Sequence, residues 1–285
     1  MSAAAETLSG KGHRDENFPV ASWLISEKPR RAILAFYRFA RAADDIADHE
    51  GLEPQAKLAR LDAFEAALIG QGRDSEAEPL RLALAEEGLE SVHARELLAA
   101  FRQDATKTRY ASWDELMAYC RLSAAPVGRF VLDAHGESRA LWPASDALCA
   151  ALQINNHLQD CAKDYRGLDR VYLPADVLAR HGAAIDMLTE PRSPAPLRSA
   201  IFELAQRSEA LIDEAVSLAP AIADRRLSLE IAGIAALARR IARRLQQADP
   251  LSERVHLGKW ELFGVAAGAA IRALPAVLRR RGRAA

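Results

Sequence analysis

The chain reads as an all-α protein, on three observations. Apolar residues recur at the three- and four-residue spacing of helices over most of its length, and no stretch alternates polar and apolar residues as a strand does. Ala and Leu dominate a composition that is half hydrophobic and only 6% aromatic. At 285 residues the chain can bury a large core, and with no visible boundary residues 1–285 are read as a single domain. A formal net charge of −1 argues against a nucleic-acid partner. Cys120, Cys149 and Cys161 fall inside helical patterns without metal-ligand spacing, which suits core thiols in a reducing cytoplasm.

Met1 to Glu16 is small, polar and charged, lacks the apolar run of a signal peptide, and is expected to be a flexible lead-in. Pro29 suits the first turn of a helix carrying Tyr37, Arg41, Asp44 and Asp48. Pro54 opens a second helix ending near Gly70, and further helical patterns run from about Glu76 to Glu87 and from Ser91 to Lys107. Ser112-Trp-Asp-Glu115 forms a capping box for a helix containing Tyr119 and Cys120, which Pro126 is expected to kink. A second acidic helix is expected from about Pro143 to Tyr165, followed by a turn, Arg170-Val-Tyr-Leu-Pro174, and a short helix to His181. Pro191 to Pro196 is the clearest loop, and two long helical patterns flank Pro220 and reach Gln247. The last stretch, Leu262 to Leu278, is apolar apart from Arg272 and ends in a basic tail over 279–285. It is short for a membrane span and reads first as a closing core helix; peripheral contact with anionic lipid at the inner membrane face is the functional alternative. Gly264-x-x-x-Gly268 within it would permit close helix contact.

The chemistry lies in the two acidic segments. Residues three and four apart stand above one another on a helix, so Tyr37, Arg41, Asp44 and Asp48 form one stripe and Gln153, Asn156, Asp160 and Asp164 a second with nearly the same rhythm. Both lie in otherwise apolar segments, and buried carboxylates are costly unless neutralised. A divalent cation answers this. With oxygen ligands alone the metal is hard, Mg²⁺ above all, sharing carboxylates with the phosphates of a substrate. His157, beside the second stripe, reads as a hydrogen-bonded structural residue. Glu90-x-x-His93 and Glu253-x-x-His256 repeat a motif of di-iron bundles, but no paired mid-helix Glu completes such a site.

These stripes, with Tyr119-Cys120, Val127-Gly128 and Val171-Tyr-Leu-Pro174, resemble the squalene/phytoene synthase family from about Asn17 to Lys259. The resemblance implies the isoprenoid synthase fold, a helical bundle around a central cavity in which two Asp motifs face each other. It implies that Asp44, Asp48, Asn156, Asp160 and Asp164 hold Mg²⁺, with the four aspartates catalytic. It also implies that Tyr37, Arg41, Asn17, Phe18, Leu122, Gln153 and Tyr172 join Asn156 in binding substrate. Three departures narrow the reading: Leu122 stands where head-to-head condensing members carry Tyr, Gln159 where Arg usually precedes the second motif, and Glu16-Asn-Phe-Pro-Val-Ala-Ser22 where Ser-Phe is common. Loss of a Tyr tied to the first half-reaction, with both metal motifs kept, implies entry at presqualene diphosphate, whose cation would be captured by water. The attacking water would be held by Asn17, Asn156 or Tyr119. The alternative is the full condensation of two prenyl diphosphates.

Overall fold

The computed structural model describes residues 27–279, with side chains from 29 to 275. Thirteen α-helices fill them: α1 Glu27–Ala47, α2 Pro54–Leu68, α3 Ala77–Glu87, α4 Val92–Asp104, α5 Trp113–Ser123, α6 Ala125–Ala134, α7 Trp142–Gln159, α8 Cys161–Leu168, α9 Ala175–Arg180, α10 Ala195–Glu214, α11 Leu218–Ala221, α12 Arg225–Gln247 and α13 Lys259–Arg279. Among the described residues the only β pairing is an isolated parallel bridge between Arg109 and Val171. The fold is all-α, as the composition and spacing imply.

Apolar faces explain the layers. α1 packs on α2, α3, α4 and α6. There Phe36 stacks on Phe130 with ring centroids 4.1 Å apart, and Phe39 on Phe64 at 4.5 Å. Leu61, Leu68, Leu80, Leu97 and Leu98 close the same core. Each such side chain contributes about 1.5–3 kcal/mol by leaving water. α7 lies centrally, against α6, α10 and α12. A buried polar lock holds it: the Asn155 side-chain amide donates to the Ala238 carbonyl at 3.0 Å, and the Ser208 hydroxyl donates to Asn155 Oδ1 at 2.8 Å. A buried amide satisfied on both sides fixes rotation about the helix axis. That rotation leaves Gln153, Asn156 and Asp160 half-exposed along one stripe.

Several helix ends differ from expectation, each for a local reason. Pro126 breaks the chain instead of kinking one helix: α5 stops at Ser123 and α6 starts at Ala125, which places Pro126 in a first turn where its missing N–H leaves nothing unpaired. The second acidic helix is likewise two, with Asp160 (φ −102°, ψ 7°) between α7 and α8. The ladder survives that bend, since Asp160 N–H donates to Asn156 O at 3.0 Å and Asp164 N–H to Asp160 O at 2.8 Å. α10 begins at Ala195 and takes Pro196 into its first turn, so the loop ends earlier than Pro196. The capping box forms with a shifted reciprocal bond: the Ser112 hydroxyl accepts from Glu115 N–H, while the Glu115 carboxylate accepts from Ala111 N–H. Gly264-x-x-x-Gly268 is not the close contact of α13. A side chain at Gly264 would meet nothing, whereas Gly233 of α12 lies against Ala266.

Gly128 explains the Val-Gly pair. A Cβ there would come within 2.4 Å of Ser145 Oγ and 2.6 Å of Cys149 Sγ, so glycine lets α6 approach α7. Gly128→Ala is expected to cost roughly 1–3 kcal/mol through overpacking, read as a lower denaturant midpoint at unchanged m-value.

Candidate active site

Three helices end at one place, and carboxylates sit on those ends. Asp44 is in the last turn of α1 and Asp48 just beyond it, Asp104 is the last residue of α4, and Asp160 terminates α7. An acidic residue at a helix C-terminus opposes the partial negative charge of its unpaired carbonyls. The site is therefore doubly electronegative. Arg170, buried in the strap after α8, answers part of this charge. It meets Asp48 Oδ1 at 2.6 Å and also donates to the terminal carbonyls of Ala47 at 3.4 Å and Asp104 at 3.2 Å. Lys57 Nζ donates to Ala47 O at 2.8 Å. Arg41 lies 2.6 Å from Asp44 and 3.5 Å from Asp45.

The remaining charge shows in the acidities. Burial, then Asp48, pushes the Asp44 carboxyl up to about 7, with Arg41 only partly opposing and Asp104 adding to the rise. Burial, then Asp160 and across the site Asp48, pushes Asp164 up to about 7. Burial raises Asp104 to about 6, against the pull of Arg170 and the Tyr119 hydroxyl. The stripes thus feel one another, Asp48 acting on Asp164, as expected of the facing motifs that the family resemblance implies.

Beneath the carboxylates lies an aromatic floor. The Tyr119 hydroxyl donates to Asp104 Oδ2 at 2.8 Å and the Tyr172 hydroxyl to Oδ1 at 3.3 Å. His157 stacks on Tyr172 with centroids 3.5 Å apart, and its buried Nε2 has no hydrogen-bond partner among the described residues. The expected hydrogen-bonded role of His157 is therefore replaced by a stacking one. Burial, then Arg170, lowers its pKa to about 3, so it is neutral.

Next to the first stripe opens an apolar cavity of about 200 Å³ between α1, α6, α7 and α12, lined among others by Phe36, Tyr37, Val131, Leu148, Leu152 and Ile234. Tyr37, one turn before Arg41, joins the carboxylate region to this cavity. One lining residue could act as a base: Glu230 of α12 is buried in the cavity wall.

The structure thus gathers Arg41, Asp44, Asp48, Asp164 and Tyr172 around Arg170 and Asp104, with Gln153, Asn156 and Asp160 on the facing stripe. Leu122 is half-buried and packs against the main core cluster. Asn17 and Phe18 lie outside the described residues. Gln159, where the family pattern has Arg, is buried and donates to the Val255 carbonyl, pinning the segment before α13. Sequence reasoning missed Asp104, Glu230 and the role of Arg170. The one available signal for Asp104 was an acidic residue at a helix C-terminus, where the dipole disfavours it. Glu90 pairs with Arg139 and His93 with Asp133, so the first di-iron motif is not assembled.

A helical shell with two acidic motifs converging beside an apolar cavity defines a class, and comparison with known proteins agrees. The squalene/phytoene synthase profile matches residues 12–261, and the chain belongs to that family. It is an enzyme of the family, and hydroxysqualene synthase-like in sequence. It is 56% identical to hydroxysqualene synthase of Rhodopseudomonas palustris over 94% of this chain and 92% of that one. With the hydroxysqualene synthase of Sinorhizobium fredii the identity is 50%, over 92% and 90%. Among solved structures, squalene synthase HpnC from Alicyclobacillus acidocaldarius superposes with a TM-score of 0.71 at 30% identity, covering 80% of this chain and 87% of that one. A dehydrosqualene synthase superposes at 0.79 with 21% identity, covering 91% and 92%, which shows the shared isoprenoid synthase fold.

Proposed function

We propose that the chain converts presqualene diphosphate and water to hydroxysqualene and diphosphate, with Mg²⁺ as cofactor, in the cytoplasm. The observation that carries this reading is the convergence of carboxylate-bearing helix ends beside an apolar cavity. Leu122, in place of the Tyr tied to condensation, supports late entry, as does the similarity to hydroxysqualene synthases along nearly the full length.

The residues present fit a hard cation. Oxygen donors crowd the site, and burial together with their mutual repulsion lifts Asp44 and Asp164 to about 7. Among the described residues no three His, Cys, Asp or Glu side chains gather tightly enough to hold a metal by themselves. Mg²⁺ typically binds through one or two carboxylates together with substrate phosphates and waters. Asp44, Asp48, Asn156, Asp160 and Asp164 would hold it. When bound, Mg²⁺ supplies charge neutralisation to the departing diphosphate.

The chain's own residues do the rest. Arg41 and Tyr37 donate hydrogen bonds to the diphosphate oxygens, and Gln153 extends that polar edge. Arg170 keeps the ends of α1 and α4 together, and the Tyr119–Asp104–Tyr172 network fixes the floor. Once the C–O bond breaks, the cyclopropylcarbinyl cation rearranges in the cavity, where the face of Phe36 stabilises positive charge. Water supplies the electron pair of the new C–O bond and gives up one proton, which the released diphosphate accepts. The test is purified enzyme with Mg²⁺, given presqualene diphosphate or farnesyl diphosphate separately, with and without NADPH. Hydroxysqualene from presqualene diphosphate alone is expected; a C30 product from farnesyl diphosphate contradicts late entry.

The acidities give a second expected result. Folded-state values of about 6 to 7 for Asp44, Asp104 and Asp164 lie above the unfolded value near ~4. Their contribution to stability is fully present below that unfolded value and is lost as pH rises through the folded ones. The melting temperature of metal-free protein should fall from about pH 5 to about pH 8, and added Mg²⁺ should restore more at the upper end. A Mg²⁺ effect equal at both pH values contradicts the assignment.

A further inference from the structure

α13 shows solvent a continuous apolar stripe. Trp260 is 89% exposed, Phe263 71%, Ile271 69% and Leu274 41%. With the exposed Gly264 between them, these positions fall on one side of the helix. The opposite side packs on α12, where Gly233 admits Ala266 and Leu262 and Val265 join the core. One face of α13 therefore closes the core as expected, and the other is left to solvent. No helix among the described residues is long and apolar enough to cross a membrane.

The charge from α13 onward is one-sided in sequence. From Lys259 onward the sequence carries Lys259, Arg272, Arg279, Arg280, Arg281 and Arg283 against a single acid, Glu261, in a chain whose net charge is −1. Glu261 is already paired with Arg240 and Arg244. Arg272 has no carboxylate partner among the described residues. It lines a groove of about 570 Å³ between α12 and α13 with an apolar floor, on whose walls Arg239, Arg240 and Arg243 are paired with Glu209, Asp213 and Glu261. Ile231 is a wall residue of both this groove and the apolar cavity beside the aspartates.

We propose that α13 docks flat on an anionic bilayer through Trp260, Phe263, Ile271 and Leu274, with the basic residues meeting lipid headgroups. The proposal rests on the reaction above in one respect: a C30 diphosphate substrate resides in lipid, and docking holds the enzyme at that reservoir. An amphipathic helix with Trp and Phe on one face and arginine at its edges has the composition of an interfacial helix, and its binding is sensitive to lipid charge and to salt.

The test is flotation of the full-length chain with vesicles of phosphatidylcholine alone or with about one third phosphatidylglycerol. The chain is compared with the double variant Trp260→Ser, Phe263→Ser, and both are assayed on presqualene diphosphate dispersed in detergent. Wild type should float with the anionic vesicles, and its binding should fall on the order of tenfold on neutral vesicles or in high salt. The variant should keep the wild-type circular dichroism and detergent activity while losing flotation to a similar degree. Failure of the wild type to float, or equal flotation of the variant, overturns the proposal. So does a wild-type dimer that the variant converts to monomer without any vesicle binding, since the face then serves self-association. Absent detergent activity in the wild type counts against the proposed reaction and leaves the flotation result standing.

Discussion

Changing Asp44 and Asp164 together to asparagine is expected to lower diphosphate release by at least about 10³-fold while leaving the protein as stable as wild type, or more stable, at about pH 8. The two halves follow from the same electrostatics. Each carboxylate sits among others of like charge, and burial with that repulsion lifts both to about 7. Removing the charges relieves repulsion in the folded state, so the fold does not require them. Asparagine preserves the shape, so packing around α1 and α8 is undisturbed. What disappears is the negative field able to hold cations against a diphosphate. Steady-state kinetics and thermal denaturation of the same preparations check both halves. A variant that is inactive because it melts early contradicts the account, as does one that keeps its activity.

Replacing Arg170 with methionine should have the opposite signature, losing stability and activity together. Its guanidinium reaches Asp48 and the carbonyl ends of α1 and α4 at once, and it is buried. Breaking a buried pair from one side leaves uncompensated charge and costs about 3–5 kcal/mol. For a chain of this size that lowers the melting temperature by roughly 6–15 °C. Arg170→Lys keeps the charge but lacks the planar fork that serves several acceptors, so it should recover only part of the loss. The urea midpoint of the three proteins measures this. Equal midpoints for methionine and arginine would show that Arg170 does not hold the helix ends.

Local periodicity made much of this legible. Asp44 and Asp48, like Asn156, Asp160 and Asp164, sit at helical spacing within apolar segments, and that alone implied a cation-dependent anion site. Pro29, Pro54 and the Ser112 capping box placed helix starts because their chemistry is confined to a first turn. Pro126 misled because a proline's position implies interruption without saying whether the chain bends or breaks. The bend at Asp160 left no trace, since the hydrogen-bond ladder runs on through it. Arg170 and Asp104 lie 66 residues apart in sequence and meet only through the tertiary packing of α4 against the strap after α8. Glu230 looks in sequence like any polar residue of an amphipathic helix, and only the packing of α12 puts it on the cavity wall. The exposure of Trp260 was equally hidden, because an apolar helix can close a core or meet a membrane with the same composition.

The most direct measurement of the central claim is binding of Mn²⁺, as a spectroscopic substitute for Mg²⁺, followed by electron paramagnetic resonance with and without added pyrophosphate. If both acidic stripes serve one metal–diphosphate site, pyrophosphate should tighten Mn²⁺ binding in the wild type. That tightening should vanish when either Asp44 or Asp160 alone is changed to alanine. Pyrophosphate-dependent binding that survives both changes made together would show that the stripes do not form the site.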